Sequence, residues 1–381
     1  MIQRTIEQLV LKRAAQYPVV TLTGPRQSGK STLCQALFPN YKYLNLEDLA
    51  LREFASSDPV GFIHQNQGGV ILDEIQRVPE LCSQIQVCVD ANKRKGEFIL
   101  TGSHNLSVRQ SINQSLAGRT AVLELLPFSL KERQNFPSKD LQEILFQGFY
   151  PTIFDQNIEA NVFLADYIAT YVERDVRDLE NIRDLTLFKK FLGLCAGRVG
   201  QLVNLSNLSN EVGVSSTTLK SWLTILEATY VVYLLKPFYK NLNKRLVKMP
   251  KLYFYDTGLM AHLLGIRKKE QLINHPLQGA LFENMMIGEM KKQIAHKGLQ
   301  HELYFYRDSK GVEVDLIVDQ GTKLLPIEIK MAQTYSSGFL KNKSMIEKDL
   351  SLPAAKWQVV YSGSTQQRSD VDIWNFDEFE L

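Results

Sequence analysis

Gly24-Pro25-Arg26-Gln27-Ser28-Gly29-Lys30-Ser31 fills every fixed position of the pattern G-x-x-x-x-G-K-[ST]. A β-branched run, Val19–Thr23, precedes it. Thr32-Leu33-Cys34-Gln35-Ala36-Leu37-Phe38 follows with a helical pattern that Pro39 stops. Strand, glycine-rich loop and helix are the context in which this pattern cradles phosphates. The glycines let backbone N–H groups wrap the anion, and the helix N-terminus adds partial positive charge. Gly24, Pro25, Arg26, Gln27, Ser28, Gly29, Lys30, Ser31 and Thr32 are therefore the expected nucleotide contacts. Lys30 would reach the β- and γ-phosphates and Ser31 would ligate Mg²⁺.

Such a loop needs a carboxylate on a neighbouring strand. Gly68-Gly69-Val70-Ile71-Leu72-Asp73-Glu74 supplies an apolar run ending in two acids. In an open α/β sheet that end is the ligand edge. Asp73 is expected at Mg²⁺, and Glu74 as the base that positions the attacking water. A third apolar run, Phe98-Ile99-Leu100-Thr101, ends at Gly102-Ser103. Ser103 is the expected polar contact between the two nucleotide motifs, with His104 and Asn105 as further candidates. Gly118-Arg119 lies just before the strand pattern Thr120–Leu125, so Arg119 could act as an arginine finger across a subunit interface. Alternating short strand and helix patterns from Val19 to about Ser129 predict βαβ units and a mostly parallel sheet.

These stretches resemble the prokaryotic AAA+-type ATPases with a C-terminal DUF4143 domain. Leu116-Ala117-Gly118-Arg119, Leu126-Pro127-Phe128-Ser129, Tyr171-Val172-Glu173-Arg174-Asp175-Val176 and Lys244-Arg245-Leu246-Val247-Lys248 add to the resemblance. It runs over nearly the whole chain. It implies an α/β fold in three parts: a P-loop ATPase domain (1–150), a helical lid and winged-helix region (151–250) and a PD-(D/E)XK nuclease-like domain (251–381).

The middle block supports that division. Leu208–Leu219 looks like a helix-turn-helix, with Gly213 at the turn and Ser215 capping a second helix that carries Leu219, Trp222, Leu223 and Leu226. Lys220 is the one cation of that helix before Glu227. Lys240, Lys244, Arg245, Lys248 and Lys251 occur with no acid among them and could meet phosphates. The alternative is a solvated hairpin or a subunit contact. The run Glu173–Glu180 reads as a salt-bridged helical face.

Toward the C-terminus, Val312–Val318 and Leu324–Lys330 read as neighbouring strands. Alternation sends Glu328 and Lys330 to one face and Ile327 and Ile329 to the core. Asp315 followed by Glu328-x-Lys330 resembles the nuclease core, in which two carboxylates hold Mg²⁺ and the lysine orients water. Glu283, on a helix expected over Ala280–Ala295, could complete the ligand set. An exposed charged sheet face would show the same residues.

The chain has 381 residues, ample for two or three domains, and 44% of them are hydrophobic. Its 44 Lys and Arg against 41 Asp and Glu give a net charge of +3. Any polyanion contact must therefore be local. The best apolar run, Ala228–Leu235, is too short to span a bilayer. Cys34, Cys82, Cys88 and Cys195 show no metal spacing and suggest free thiols in a reducing compartment. The expectation is a cytoplasmic, oligomeric ATPase that uses ATP and Mg²⁺, contacts no membrane, and engages DNA or RNA with possible phosphodiester cleavage. Its alternative is an ATP-dependent switch whose C-terminal module binds nucleic acid or protein without cutting.

Overall fold

The computed structural model describes residues 2–103, 115–136, 140–172, 184–238, 249–350 and 356–381. His104, Asn105, the run Glu173–Glu180 and the cations Lys240, Lys244, Arg245 and Lys248 lie outside the described residues.

Five parallel strands form the first sheet: β1 (Val19–Thr23), β2 (Lys42–Asn45), β3 (Val70–Asp73), β4 (Phe98–Gly102) and β5 (Thr120–Glu124). Their order is β2-β3-β4-β1-β5. Register pairs Thr23 with Gly102 and Asn45 with Asp73, so the carboxyl ends of the strands share one edge. Strands β1, β3 and β4 are buried throughout, as helices on both faces require. Alternate residues serve opposite layers. Val70, Leu72, Phe98 and Leu100 pack into one cluster, and Ile71, Ile99, Val20 and Leu22 into the other.

The second sheet holds eight strands of mixed direction: β6 (Val232–Pro237), β7 (Lys251–Phe254), β8 (Glu302–Arg307), β9 (Glu313–Asp319), β10 (Leu324–Lys330), β11 (Trp357–Tyr361), β12 (Gln366–Gln367) and β13 (Val371–Asn375). The order is β12-β13-β11-β10-β9-β8-β6-β7. The expected boundary at 250/251 therefore falls inside a hairpin. Strand β7 pairs antiparallel with β6, and β6 pairs in parallel with β8. One hydrophobic cluster runs from Leu126 through the middle helices to Phe379. The physical cause is the apolar face of the hairpin, which covers both its neighbours.

Between the sheets, Asn204 caps the helix Leu205–Val212, and Gly213 ends it in the left-handed conformation at φ 91°. Ser215 caps the next helix, Ser216–Ala228, accepting from the Thr218 N–H at 3.0 Å. Leu219, Trp222, Leu223 and Leu226 are buried on it, and Lys220 is exposed. The long helix Gln278–Lys297 packs between the two sheets, against β5 on one side and β7 and β10 on the other. Among the described residues, no helix is long and apolar enough to cross a membrane.

Candidate functional site

The chain turns at Gly24, where a Cβ would collide with the Leu125 carbonyl. Gln27 (φ 61°) and Gly29 (φ 89°) take left-handed conformations that curl the loop into the helix Lys30–Leu37. The Ser28 hydroxyl donates to the Pro25 carbonyl at 2.9 Å. Lys30 is buried, and its ammonium donates to the Gly24 and Pro25 carbonyls at 3.0 and 2.7 Å. Burial pushes its pKa down, against the opposing pull of Glu74 and Asp73. Arg26 and Gln27 turn to the middle block: Arg26 lies over the Tyr171 ring at 5.4 Å, and Gln27 donates to the Tyr171 hydroxyl at 2.8 Å. Thr152 donates to the Gln27 side chain at 2.9 Å.

Ser31 Oγ donates to Asp73 Oδ2 at 2.7 Å, and the Tyr43 hydroxyl donates to the same oxygen at 2.5 Å. Thr101 Oγ1 bonds the other Asp73 oxygen. Glu74 follows in the left-handed conformation (φ 57°), uncommon for a residue with a side chain and typical of functional turns. Its carboxylate accepts from Ser103 Oγ at 3.0 Å and from the Gln76 amide. Gln76 also donates to Ser103 at 3.2 Å. The sheet order thus brings Ser31, Asp73, Glu74 and Ser103 to one edge. Tyr43, Thr101 and Gln76 were not singled out in the sequence. Only the neighbouring of β2, β3 and β4 reveals them.

Arg119 stands elsewhere. It precedes β5 where Thr120 pairs with Val19, so about 13 Å of strand separates it from the phosphate loop. Its guanidinium makes a two-point contact with Asp90 on the helix Leu81–Asn92, at 2.6 and 2.8 Å. It does not join its own chain's site.

Beside the loop opens a cavity of about 190 Å³, lined by Arg4, Gln27, Gly29, Thr32, Leu33 and Phe128, among others.

The second group lies on the C-terminal sheet. Lys330 Nζ is 2.6 Å from Asp315 Oδ2 and 2.6 Å from Glu328 Oε2. Asp315 also accepts from the Ile329 N–H at 2.8 Å. Glu283, on the long helix, accepts from the Tyr253 hydroxyl at 2.5 Å and lies 3.7 Å from Lys251 Nζ. Lys251 bonds Glu313 as well. Lys251 is 2% exposed, so this one described cation of the stretch Lys240–Lys251 faces these acids and not the solvent. Burial, reinforced by the Asp315 charge, pushes Glu283 up to about 7 and Glu328 up to about 9. Each acid has a lysine beside it: Lys251 for Glu283, and Lys330 for Glu328 and for Asp315, with which it forms the clearest ion pair. Among the described residues, no three His, Cys, Asp or Glu side chains are arranged to hold a metal ion. Glu283, Asp315 and Glu328, the expected ligand set, each stand against a lysine in this arrangement. Ser31 and Asp73, two hard oxygen donors side by side at the loop, do suit Mg²⁺.

Three family models match successive parts of the chain: an AAA domain over residues 16–134, a domain of unknown function (DUF8612) over 138–270, and a domain of unknown function (DUF4143) over 278–379. The middle block thus has a match of its own, separate from DUF4143. An uncharacterized protein of Mycobacterium tuberculosis is 29% identical over 367 residues, 95% of this chain and 81% of its own length. An uncharacterized protein of Haemophilus influenzae is 22% identical, covering 85% of each chain. Among solved structures, the Walker-type ATPase of Pyrococcus abyssi aligns with a TM-score of 0.46 at 14% identity, over 69% of this chain and 96% of that one.

Proposed function

The chain is an AAA-type ATPase with a C-terminal DUF4143 domain, and from that premise we propose that it is a nucleotide-driven switch. ATP hydrolysis at the loop resets the rest of the chain, whose middle and C-terminal parts recognise nucleic acid without a required cut. The observation that carries the hydrolytic half is the pair of hydrogen-bonded acids at one sheet edge: Asp73 held by Ser31, and Glu74 held by Ser103.

ATP is the substrate. The loop's backbone N–H groups and Lys30 bind its phosphates, and the cavity beside Gly29 and Thr32 takes the base and sugar. Ser31 and Asp73 would hold Mg²⁺, which when bound neutralises charge on the phosphate oxygens. Glu74 orients the attacking water and takes its proton, and Ser103 holds the Glu74 carboxylate toward it. Arg119 bonds Asp90 in its own chain; if it acts on nucleotide, it acts on a neighbouring subunit's, within a homo-oligomer. The helices Leu205–Val212 and Ser216–Ala228 with the hairpin β6–β7 form the nucleic-acid-facing module.

A second reading, phosphodiester cleavage, is favoured by one observation, the convergence of Asp315, Glu328 and Lys330. One experiment separates them. Purified protein is incubated with single- and double-stranded DNA and RNA, with Mg²⁺ or Mn²⁺, with and without ATP. Binding with intact substrate and ATP turnover that Lys30→Ala abolishes fit the switch. Nicking that disappears in Asp315→Ala and Lys330→Ala establishes cleavage. Turnover that survives Lys30→Ala removes the ATPase reading.

A further inference from the structure

A sealed polar network joins the phosphate loop to the C-terminal domain. Arg4 is buried at the start of the chain. Its guanidinium donates to the Ser28 carbonyl at 2.8 Å and to the Leu126 carbonyl at 2.7 Å. It pairs with Glu132 at 3.2 Å and lies over the Phe128 ring at 4.9 Å. Glu132 in turn accepts from the Thr5 N–H at 2.7 Å and the Ser129 N–H at 2.9 Å. His296 Nε2 accepts from the Leu126 N–H at 3.1 Å. Its proton therefore sits on Nδ1, which faces Glu132 Oε1 at 3.8 Å.

Two more residues of the same helix hold the segment that leaves β5. Lys292 donates to the Phe128 carbonyl at 2.8 Å, and Glu289 accepts from the Leu130 N–H at 2.8 Å. The segment Leu126–Leu130 is thus gripped by Arg4 from the loop side and by the helix Gln278–Lys297 from the other.

Stability alone does not call for this arrangement, because buried ion pairs roughly break even against apolar packing. What the network does is fix position. Arg4 bonds the loop backbone at Ser28 and lines the cavity beside Gly29 and Thr32. A displacement of the Ser28 carbonyl when the loop closes on phosphates would move or loosen the charge-assisted bond that Arg4 makes to it. Glu283 lies 13 residues before His296 on one continuous helix, about 20 Å away at 1.5 Å per residue.

We propose that Arg4, through Glu132 and His296, couples nucleotide occupancy of the loop to the helix Gln278–Lys297, and so to Glu283 and the C-terminal ion-pair group. Arg4 is a positioning residue in this scheme. The inference rests on the reading of the loop as an ATP site.

Hydrogen exchange on the full-length protein tests it, with and without ATPγS and Mg²⁺. In the wild type, ATPγS should slow exchange in peptides covering 24–37 and also in peptides covering 278–297. Glu132→Gln should keep the first response and reduce the second at least threefold, and so should His296→Phe, the second variant should one of them not fold. A wild-type response confined to 24–37 overturns the coupling. So does a 278–297 response that survives in a folded variant. No slowing at 24–37 in the wild type would instead remove the ATP reading, and the coupling with it.

Discussion

Ser31 Oγ and Asp73 Oδ2 lie 2.7 Å apart, although 42 positions of sequence separate them. The contact exists because β3 sits one strand from β4, which sits beside β1, and all three end at the same edge. Asp73 also receives Tyr43 and Thr101, so its carboxylate is fixed before any ligand arrives. Asp73→Asn keeps the shape and removes the charge. Phosphate release should fall on the order of 10²-fold or more, the usual loss when one charge-stabilising group is removed. Fluorescent-nucleotide titration should show ATP affinity changed far less.

Glu74 is held by Ser103 and Gln76 in a strained backbone conformation. Glu74→Gln should lower kcat by roughly 10²- to 10⁴-fold, the range for loss of a general base, with nucleotide binding retained. Ser103→Ala should cost less, on the order of 10-fold, because it acts through Glu74. A kcat near the wild-type value in Glu74→Gln would move the base role to another residue.

Acid should unfold the protein through the buried network. Burial holds His296 down at about 3, against an ordinary 6.5. Burial alone would raise Glu132, but Arg4, His296 and two backbone N–H groups overcome it and hold the carboxyl at about 2, against 4.5. In both cases the unfolded chain binds the extra proton. Stability therefore falls as pH drops, from about 6.5 to 3 for His296 and from about 4.5 to 2 for Glu132. The slope from one such group is at most about 1.4 kcal/mol per pH unit. Denaturation midpoints across pH should show it, and His296→Phe should flatten the stretch between 6.5 and 4.5.

Lys251 serves two acids at once, Glu283 and Glu313. Lys251→Met fills the same space and leaves Glu283 without its lysine, while Glu313 keeps Arg307 at 3.1 Å. Removing one partner of a buried ion pair costs about 3–5 kcal/mol, and here about 2 kcal/mol is expected because both acids keep some solvent contact. Urea denaturation at neutral pH measures it. Restoration by the further change Glu283→Gln would identify the uncompensated charge as the cause.

The strands that carry these groups were largely legible. Val19–Thr23 and Leu324–Lys330 are observed with the bounds their patterns predict, and the helix expected over Ala280–Ala295 extends to Gln278–Lys297. Strand β13, Val371–Asn375, was not anticipated. Its apolar run is short, interrupted by Asp372, and pairing with β11 supplies what its pattern lacks. Arg119 was legible as a residue, but its ion pair with Asp90 depends on how the helix Leu81–Asn92 packs.

By itself the sequence determined the phosphate loop, because the glycines, lysine and serine that let backbone N–H groups and one ammonium wrap a phosphate follow one another in eight consecutive residues. It also determined the acids at strand ends, since an apolar run that stops at a carboxylate marks a buried strand reaching an edge. Tertiary structure alone decided the partners. Tyr43 and Thr101 meet Asp73 through strand order, Lys251 meets Glu283 and Glu313 through a hairpin, a helix and a third strand, and Arg4 and His296 meet Glu132 from three distant segments. Each of these contacts is a long-range pairing of charges or hydrogen bonds. Its energy depends on distance and burial, and neither is fixed until the chain has folded.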